Sequence, residues 1–419
     1  MKKILLLAVS ALALLAACAK TEVTPQQSDP QQISFTPLNS KLSTRTLIDG
    51  TFYGTTAPSF GSLAYYVPEG NWNDKMSDAE TKLYIPLSEV SYDGTASVWT
   101  TAKPYYWPKS GSLTFFAYSP FFYQETATSP AAISFTPATN KDGIVISNYD
   151  VDAHQLTDLM VADVTKSKDK TANESHGGYT GVPIVFQHKL SQIVGIKLVT
   201  VKNNTTTRTL EEYDYANAHD GTTGKEYQAG DVVFKLKNVS INKLNTVGTF
   251  TYAATNTNAP TSVWSAHATP KNAYVWYDYT SDATAGTSAE PEQFTGNTKF
   301  ELTYNNKHTT NANAYLLVLP QPLTERTAGA TTPDKPYLHL EYQVLTYTDA
   351  TSYATENVIE DVDLYLIHGG IAGTPTTGIE IAQNKKITYT IQINLESRQI
   401  YWAPSVVDWE DKGFTYTIE

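Results

Sequence analysis

The sequence predicts an all-β protein built from two β-sandwich domains in tandem. Runs of β-branched and aromatic residues recur along the chain, and Gly, Pro, Asn and Asp separate them. No stretch of a dozen residues keeps the apolar period of an amphipathic helix. One sandwich holds about seven to nine strands. The chain has more short strands than that, so we expect two sandwiches.

The first residues have the layout of a secretory signal. Lys2 and Lys3 give a basic start, and Ile4–Leu15 is a run of apolar and small residues that is too short for a membrane-spanning helix. The run ends in Leu15-Ala16-Ala17-Cys18, which resembles the bacterial lipobox, where a peptidase cuts before the cysteine and the thiol then carries lipid. We therefore expect residues 1–17 to be removed and Cys18 to hold the chain on a membrane.

Composition excludes several classes of protein. Cys18 is the only cysteine, so the mature domains can form no internal disulfide, zinc–thiolate site or cysteine nucleophile. The formal net charge of −12 argues against nucleic acid as a partner. The polar, Pro-containing segment Ala19–Gln32 predicts a tether between the lipid and the first domain.

Strands are predicted in two series. Ile33-Ser34-Phe35 is a short alternating strand that precedes the polar segment around Arg45. The further strands of the first series are expected at 62–67, 112–118, 132–136, 143–147, 159–164 and 183–189, and those of the second series at 193–201, 232–242, 248–253, 315–319, 336–347, 362–367 and 387–395. Residues 157–162 also fit a helical turn.

The expected organisation has four parts. Residues 1–17 are the signal peptide, and residues 18–45 are the tether with a propeptide-like strand. Residues 46–188 form the N-terminal sandwich, and residues 189–419 form the C-terminal sandwich, which ends in a terminal strand. The polar insertion Thr200–Gly230 reads as a long loop or hairpin at the start of the second domain.

The sequence contains no catalytic motif, and we expect no enzymatic activity, no cofactor and no metal site. Asp150 with Asp152 and Asp361 with Asp363 could offer carboxylates to calcium, although solvated acidic loops are the commoner reason for such pairs. His188 lies in an apolar strand, where a hydrogen-bonded structural histidine is expected. Aromatic residues such as those of 105–107 and 115–118 are expected to fill cores.

Several segments, in this order along the chain, together resemble the fimbrillin family of Bacteroidales-type bacteria. They are the lipobox at Cys18, residues 41–46 (Lys-Leu-Ser-Thr-Arg-Thr), Trp99 with Tyr105-Tyr106-Trp107-Pro108, residues 113–120, 157–162 and 185–193, Leu319-Pro320-Gln321, residues 384–391 and Val406-Val407-Asp408-Trp409. No single segment is diagnostic, but their order is.

The resemblance implies two transthyretin-like β-sandwich domains and assembly into protease-activated pili by strand exchange. An arginine-specific protease would cut between Arg45 and Thr46, although Lys41 offers a second basic site in the same segment. The cut would release the lipid together with the strand of Ile33 and Phe35, and it would leave an open edge and an empty groove. Such an edge recruits a strand from another chain.

A matching donor strand lies at the C-terminus. Phe414, Tyr416 and Ile418 alternate with threonines, so three large side chains share one face. Residues 400–402 are a second candidate, and they also fit an ordinary strand of the second domain. The expected partners are other fimbrial subunits in a homopolymer, the outer membrane through the lipid before processing, and a host glycan or protein ligand.

Other functions remain open at this level. A fimbrial tip, or a free surface adhesin that binds glycan or protein, would not need to donate its terminal strand. An anchor subunit would keep its lipid because Arg45 would not be cut. A surface glycoside hydrolase would need two carboxylates about 5–10 Å apart across a cleft, and nothing in the sequence asks for that chemistry.

Overall fold

The computed structural model describes residues 31–40, 45–47, 59–121, 134–138, 141–155, 158–173, 175–176, 179–212, 227–253, 261–282, 292–293, 300–302, 304, 315–368, 379–397 and 399–409. Strands dominate these ranges, which confirms the all-β prediction. Short helical turns form at α1 (Trp72–Lys75), α2 (Tyr279–Asp282), α3 (Leu364–Ile367) and a 3-10 turn (Lys170–Asn173). Across the described part of the chain, no helix is both long and apolar enough to cross a membrane.

The strands are numbered in chain order. The first thirteen are β1 (Phe35–Ser40), β2 (Arg45–Leu47), β3 (Ser59–Val67), β4 (Lys82–Asp93), β5 (Val98–Thr101), β6 (Ser112–Ser119), β7 (Ser134–Pro137), β8 (Gly143–Asp150), β9 (Met160–Ala162), β10 (Thr165–Lys168), β11 (Ser175–His176), β12 (Tyr179–Thr180) and β13 (Val182–His188). The remaining strands are β14 (Ser191–Asn203), β15 (Leu210–Glu212), β16 (Val232–Asn242), β17 (Asn245–Ala253), β18 (Thr261–Pro270), β19 (Tyr274–Asp278), β20 (Glu292–Gln293), β21 (Phe300–Leu302), β22 (Leu316–Val318), β23 (Gln321–Pro322), β24 (Tyr337–Tyr347), β25 (Tyr353–Asp363), β26 (Glu380–Ile381), β27 (Lys385–Asn394) and β28 (Gln399–Asp408).

The first sheet closes on itself. Its strands follow the order β6, β3, β4, β5, β1, β13 and β9, and β9 pairs back with β6 where Tyr118 faces Val161. β10 is added at the side of β6, and β2 is added at the side of β1. Inside this ring lies a core rich in aromatic rings, which includes Phe35, Phe60, Trp99, Trp107, Phe115 and Phe186.

A smaller four-stranded sheet, ordered β18, β17, β8 and β7, packs on the outside of the ring. Tyr118 of β6 stacks on Phe135 of β7 at 4.0 Å between ring centroids, and Phe116 meets Tyr252 of β17 edge-on at 6.5 Å. Strand β6 is therefore buried on both faces, which explains why its sequence is apolar without alternation.

The second half of the chain contains two sheets that share one core. One has the order β15, β14, β27 and β28, with β21 and β22 also paired to β14. The other has the order β19, β16, β24 and β25, with β20 paired to β16. Alternate residues of the central strands, such as Ile387, Tyr389, Ile391 and Ile393, supply the shared core.

The predicted boundary between residues 188 and 189 stays a prediction, and strand pairing crosses it. β8 and β17 form an antiparallel ladder from Gly143 opposite Ala253 to Asp150 opposite Val247. The four-stranded sheet thus joins chain segments from both sides of that position.

Three local predictions can be compared with the structure. The expected strand at 362–367 is wrong over most of its length, because β25 ends at Asp363 and the apolar residues that follow form α3. A helical turn there buries Leu364, Tyr365 and Ile367 together, and short apolar runs do not distinguish strand from helix. In contrast, the alternative of a helical turn at 157–162 is wrong for its described residues, which include β9. The insertion at 200–230 begins as the β14–β15 hairpin.

Candidate functional site

The candidate site is the slot that β1 fills between β5 and β13. β1 runs parallel to β13 from Phe35 opposite Val182 to Asn39 opposite Phe186. On its other side, Phe35 faces Trp99 of β5. Because β5 and β13 are joined only through β1 in this part of the ring, β1 closes the sheet.

The side chains of this segment are anchored in the ring core. Ile33 is 1% exposed and Phe35 is 2% exposed. The Phe35 ring meets Phe60 at 5.9 Å and Phe115 at 5.8 Å, both edge-on. Leu38 is also buried. Full burial of each such side chain contributes roughly 1.5–3 kcal/mol, so the segment is part of the core and not a loose tether.

Backbone hydrogen bonds hold the start of the segment on both sides. The Ile33 N–H donates to the Tyr105 carbonyl at 2.8 Å, and the Trp107 N–H donates to the Gln31 carbonyl at 2.9 Å. On the β13 side, the Val182 N–H donates to the Ser34 carbonyl at 2.8 Å. The two flanking segments would lose these partners if residues 31–40 left the slot.

Polar side chains add to the same contacts. The Thr36 hydroxyl donates to the Thr180 carbonyl at 2.6 Å, and the Gln32 amide donates to the Thr100 hydroxyl at 2.8 Å. Gly181 allows the close approach, because it has φ +111° and a Cβ there would lie 3.0 Å from backbone atoms of Ser34.

Strand β2 places the predicted processing site beside the slot. Its backbone pairs antiparallel with the end of β1, with Arg45 opposite Ser40, Thr46 opposite Asn39 and Leu47 opposite Leu38. The predicted displaced strand and the predicted cut are therefore neighbours in one hairpin. Lys41, the predicted lipidation site Cys18 and the predicted donor residues Phe414, Tyr416 and Ile418 lie outside the described residues.

The second donor candidate, residues 400–402, belongs to β28. This strand pairs with β27 along its full length, from Asn394 opposite Gln399 to Lys385 opposite Asp408. It lies at the edge of its sheet, and Pro404 suits that position because an edge strand can spare a backbone donor. Residues 400–402 therefore form an ordinary edge strand of the C-terminal half.

Three of the acidic residues singled out in the sequence contact basic side chains of the protein. Asp152 pairs with Lys271 at 2.7 Å, Asp361 with His339 at 2.7 Å, and Asp363 with Arg326 at 2.7 Å. Within the described residues, no group of three or more His, Cys, Asp and Glu side chains has the arrangement of a metal site. Ion pairs account for Asp152 and Asp363, and a contact with the His339 ring accounts for Asp361.

His188 is a structural histidine at the end of β13. Its Nδ1 contacts a carboxylate oxygen of Asp158, and its ring stacks on Trp409 at 4.1 Å between centroids. Next to it, burial lowers the pKa of Lys189 to about 8, while Asp163 and Asp158 act in the opposite direction. Sequence reasoning missed Trp409 as a packing partner of His188, because the two residues are far apart in the chain.

The aromatic segments fall in the cores, with one exception. Trp107, Phe115, Phe116 and Tyr118 are buried, whereas Tyr106 is 41% exposed. Sequence reasoning also missed β5 and the turn at Gly181, and it could not show that β5 and β13 form the walls of the slot, since no local pattern marks which strands flank β1. A glycine before an apolar strand was the one available signal for a close backbone approach.

Comparisons with known proteins agree with this architecture. The profile of the fimbrillin-like family matches residues 71–409. A fimbrial protein from Bacteroides vulgatus superposes with a TM-score of 0.57 at 16% identity, covering 90% of this chain and 99% of that chain. No curated protein sequence matches the chain.

Two Porphyromonas gingivalis structures also align over most of the chain. They are the fimbrilin FimA, with a TM-score of 0.34, 8% identity and coverage of 90% and 98% of the two chains, and the tip fimbrial protein Mfa3, with a TM-score of 0.32, 11% identity and coverage of 90% and 100%. These two scores are too low to support an argument, so the fold comparison depends on the Bacteroides vulgatus protein. The profile covers well over half of the sequence, and the chain therefore belongs to the fimbrillin-like family.

Proposed function

We propose that this protein is the structural subunit of a bacterial surface fimbria that supports adhesion. It is exported as a lipoprotein through Cys18, reaches the outer membrane, is cut between Arg45 and Thr46, and polymerises by strand exchange. The C-terminal residues Phe414, Tyr416 and Ile418 of one subunit take the place of β1 in the next subunit. In this proposal the two halves of the chain are transthyretin-like sandwiches.

The observation that carries the proposal is the position of β1. It is an internal strand of a closed sheet, yet it lies at the N-terminal end of the described chain and is followed at once by the hairpin with Arg45. A cut there removes the covalent link between β1 and the rest of the ring. The core contacts of Ile33, Phe35 and Leu38 are then held by noncovalent forces alone.

Loss of β1 would expose the walls of the slot. The side chains of Phe60, Trp99 and Phe115 would face water on one side. β5 and β13 would become edge strands whose backbone groups on the side of β1 have no partner. A strand with large side chains at every second position restores both kinds of contact. The C-terminal alternation of Phe414, Tyr416 and Ile418 has this pattern.

The test is the intact mass and N-terminus of the protein from the native cell surface, together with its behaviour on mildly heated denaturing gels. We expect a lipid-free chain that starts at Thr46 and runs in high-mass ladders. Arg45→Ala should block processing and ladders, and deletion of residues 413–419 should permit processing but abolish ladders. A lipidated monomer that still starts at Cys18 would contradict the stalk function and would indicate an anchor or a surface-bound adhesin.

A further inference from the structure

The chain turns inward at Trp409, immediately before the C-terminal segment. Residues 405–408 of edge strand β28 are exposed, and Val407 is 55% exposed. Trp409, in contrast, is only 8% exposed. A single buried tryptophan thus separates an exposed edge strand from the segment to which the donor function is assigned.

Three kinds of contact hold Trp409. Its ring lies parallel to that of His188, with an interplanar angle of 5° and 4.1 Å between centroids. The Lys386 ammonium lies 6.0 Å from the centre of the indole. Its backbone N–H donates to the Asn384 carbonyl at 3.0 Å, and the Asn384 N–H donates to the Leu190 carbonyl at 2.9 Å.

The partner of Trp409 belongs to a wall of the slot. His188 is the last residue of β13, the strand that runs beside β1 from Val182 to Phe186. Its ring is fixed in turn by Asp158, and β13 pairs with β9 where His188 faces Met160. One seven-residue strand therefore contacts the slot along its length and Trp409 at its end.

Chain length makes this position significant. Phe414 follows Trp409 by five residues, which span at most about 18 Å when extended. If Trp409 stays in place, the first large donor side chain can reach only a slot within that distance. The contact with His188 thus determines where the C-terminal segment leaves the body and how far it extends.

We propose that Trp409 is a positioning residue that anchors the C-terminal segment, and that β13 couples this anchor to the slot. This inference rests on the proposed strand exchange. A strand bound in the slot orders β13, β13 holds His188, and His188 holds Trp409 of the same chain. A subunit that has accepted a strand is thereby prepared to present its own.

The experiment compares Trp409→Ala, Trp409→Phe and Val407→Ala in the full chain. Hydrogen exchange is followed in peptides covering residues 399–409 and 182–188, before and after cutting at Arg45 and again after addition of a synthetic peptide of residues 31–40. In wild type, cutting should speed exchange in both regions, and addition of the peptide should return exchange to the slow rate of the uncut protein. In Trp409→Ala, exchange at 399–409 should be at least about tenfold faster than in uncut wild type, and equally fast with the slot filled or empty, since the substitution removes the aromatic stack and its burial.

The same variants separate the anchor from the wider function. Trp409→Ala should slow ladder formation about tenfold, with Trp409→Phe and Val407→Ala close to wild type. Two results would overturn the anchor while leaving strand exchange intact. One is wild-type exchange at 399–409 that does not change when the slot is filled, and the other is ladder formation by Trp409→Ala at the wild-type rate. Ladders that survive deletion of residues 413–419 would instead overturn the proposed function.

Discussion

Gly181 determines how closely the chain before β13 can approach β1. Its φ of +111° is unfavourable for residues with a side chain, and a Cβ would crowd the Ser34 backbone. Gly230 has a similar φ of +96° but open space around it. We expect Gly230→Ala to lower the free energy of unfolding by about 1 kcal/mol through backbone strain, and Gly181→Ala to lower it by at least about 1 kcal/mol more through crowding.

Urea unfolding of the uncut protein measures this difference. The control has a similar positive φ and lacks the neighbour, so equal losses for the two variants would show that Ser34 does not constrain position 181. The sequence shows a glycine at both positions and cannot tell them apart. Only the approach of β1, which is a tertiary contact, distinguishes one glycine from the other.

Lys189 is a buried lysine whose positive charge destabilises the folded state at neutral pH. Its folded pKa of about 8 lies below the value of 10.5 for an unperturbed lysine. Between these values the unfolded chain carries the extra proton, so the stability contributed at this site rises with pH. We expect Lys189→Met to be more stable than wild type at pH 7, with a gap of about 3 kcal/mol that closes as the pH approaches 10.5.

Unfolding by urea across that range measures the gap, and Lys189→Arg is the control. Arginine stays charged over the whole range, so the gap between the Arg and Met variants should not close. A wild-type curve parallel to the Met curve would show that Lys189 does not titrate in this window. Lys189 lies at the predicted domain boundary, but the sequence could not show its burial against Phe250, 5.9 Å from its ammonium.

At the scale of the element, β1 should stabilise the uncut protein but not the assembled polymer. Phe35→Ala removes a buried ring between Phe60 and Phe115, and we expect it to lower the free energy of unfolding of the uncut protein by about 3–5 kcal/mol. Under the proposed strand exchange, the slot of the assembled polymer holds a strand from another subunit, so the same substitution should leave polymer stability unchanged.

Denaturant unfolding of the uncut chain and heat resistance of the ladders are the two measurements. The control Leu83→Ala truncates a side chain that is 46% exposed. It should change the free energy of unfolding by no more than about 0.5 kcal/mol and should leave the heat resistance of the ladders at the wild-type level. If Phe35→Ala weakened the ladders as much as the uncut chain, β1 would still be present in the polymer.

Strand prediction succeeded where one physical rule dominated. The predicted strand at 232–242 coincides with β16, and the predicted strand at 387–395 overlaps most of β27. β25 was missed because it is an exposed edge strand that carries Glu356, Glu360, Asp361 and Asp363, and such charges suppress the usual strand signal while they protect the edge. The site was predictable in part: Ile33 and Phe35 were identified from alternation, but their parallel partner β13 depends on the closure of the ring.

For the whole molecule, the two halves of the chain should unfold together. They share the core around Phe116, Tyr252 and Trp264, and the β8–β17 ladder joins them. Gln155 adds a polar link, since its side chain accepts the Leu317 N–H at 2.9 Å and donates to the Leu317 carbonyl at 2.8 Å. We expect tryptophan fluorescence and circular dichroism to report one coincident transition.

Gln155→Ala tests the strength of this link. The substitution removes the side-chain hydrogen bonds to the buried N–H and carbonyl of Leu317, so the free energy of unfolding should fall by about 1–3 kcal/mol. Gln343→Ala is the control, because the Gln343 amide makes an exposed contact with Asn357 at 3.0 Å within one hairpin, and its loss should cost less than about 0.5 kcal/mol. Equal effects of the two substitutions would show that water replaces Gln155 and that the halves are held by apolar packing and the β8–β17 ladder. A larger loss at Gln155 together with separated transitions would show that this side chain is what makes the two halves a single cooperative unit.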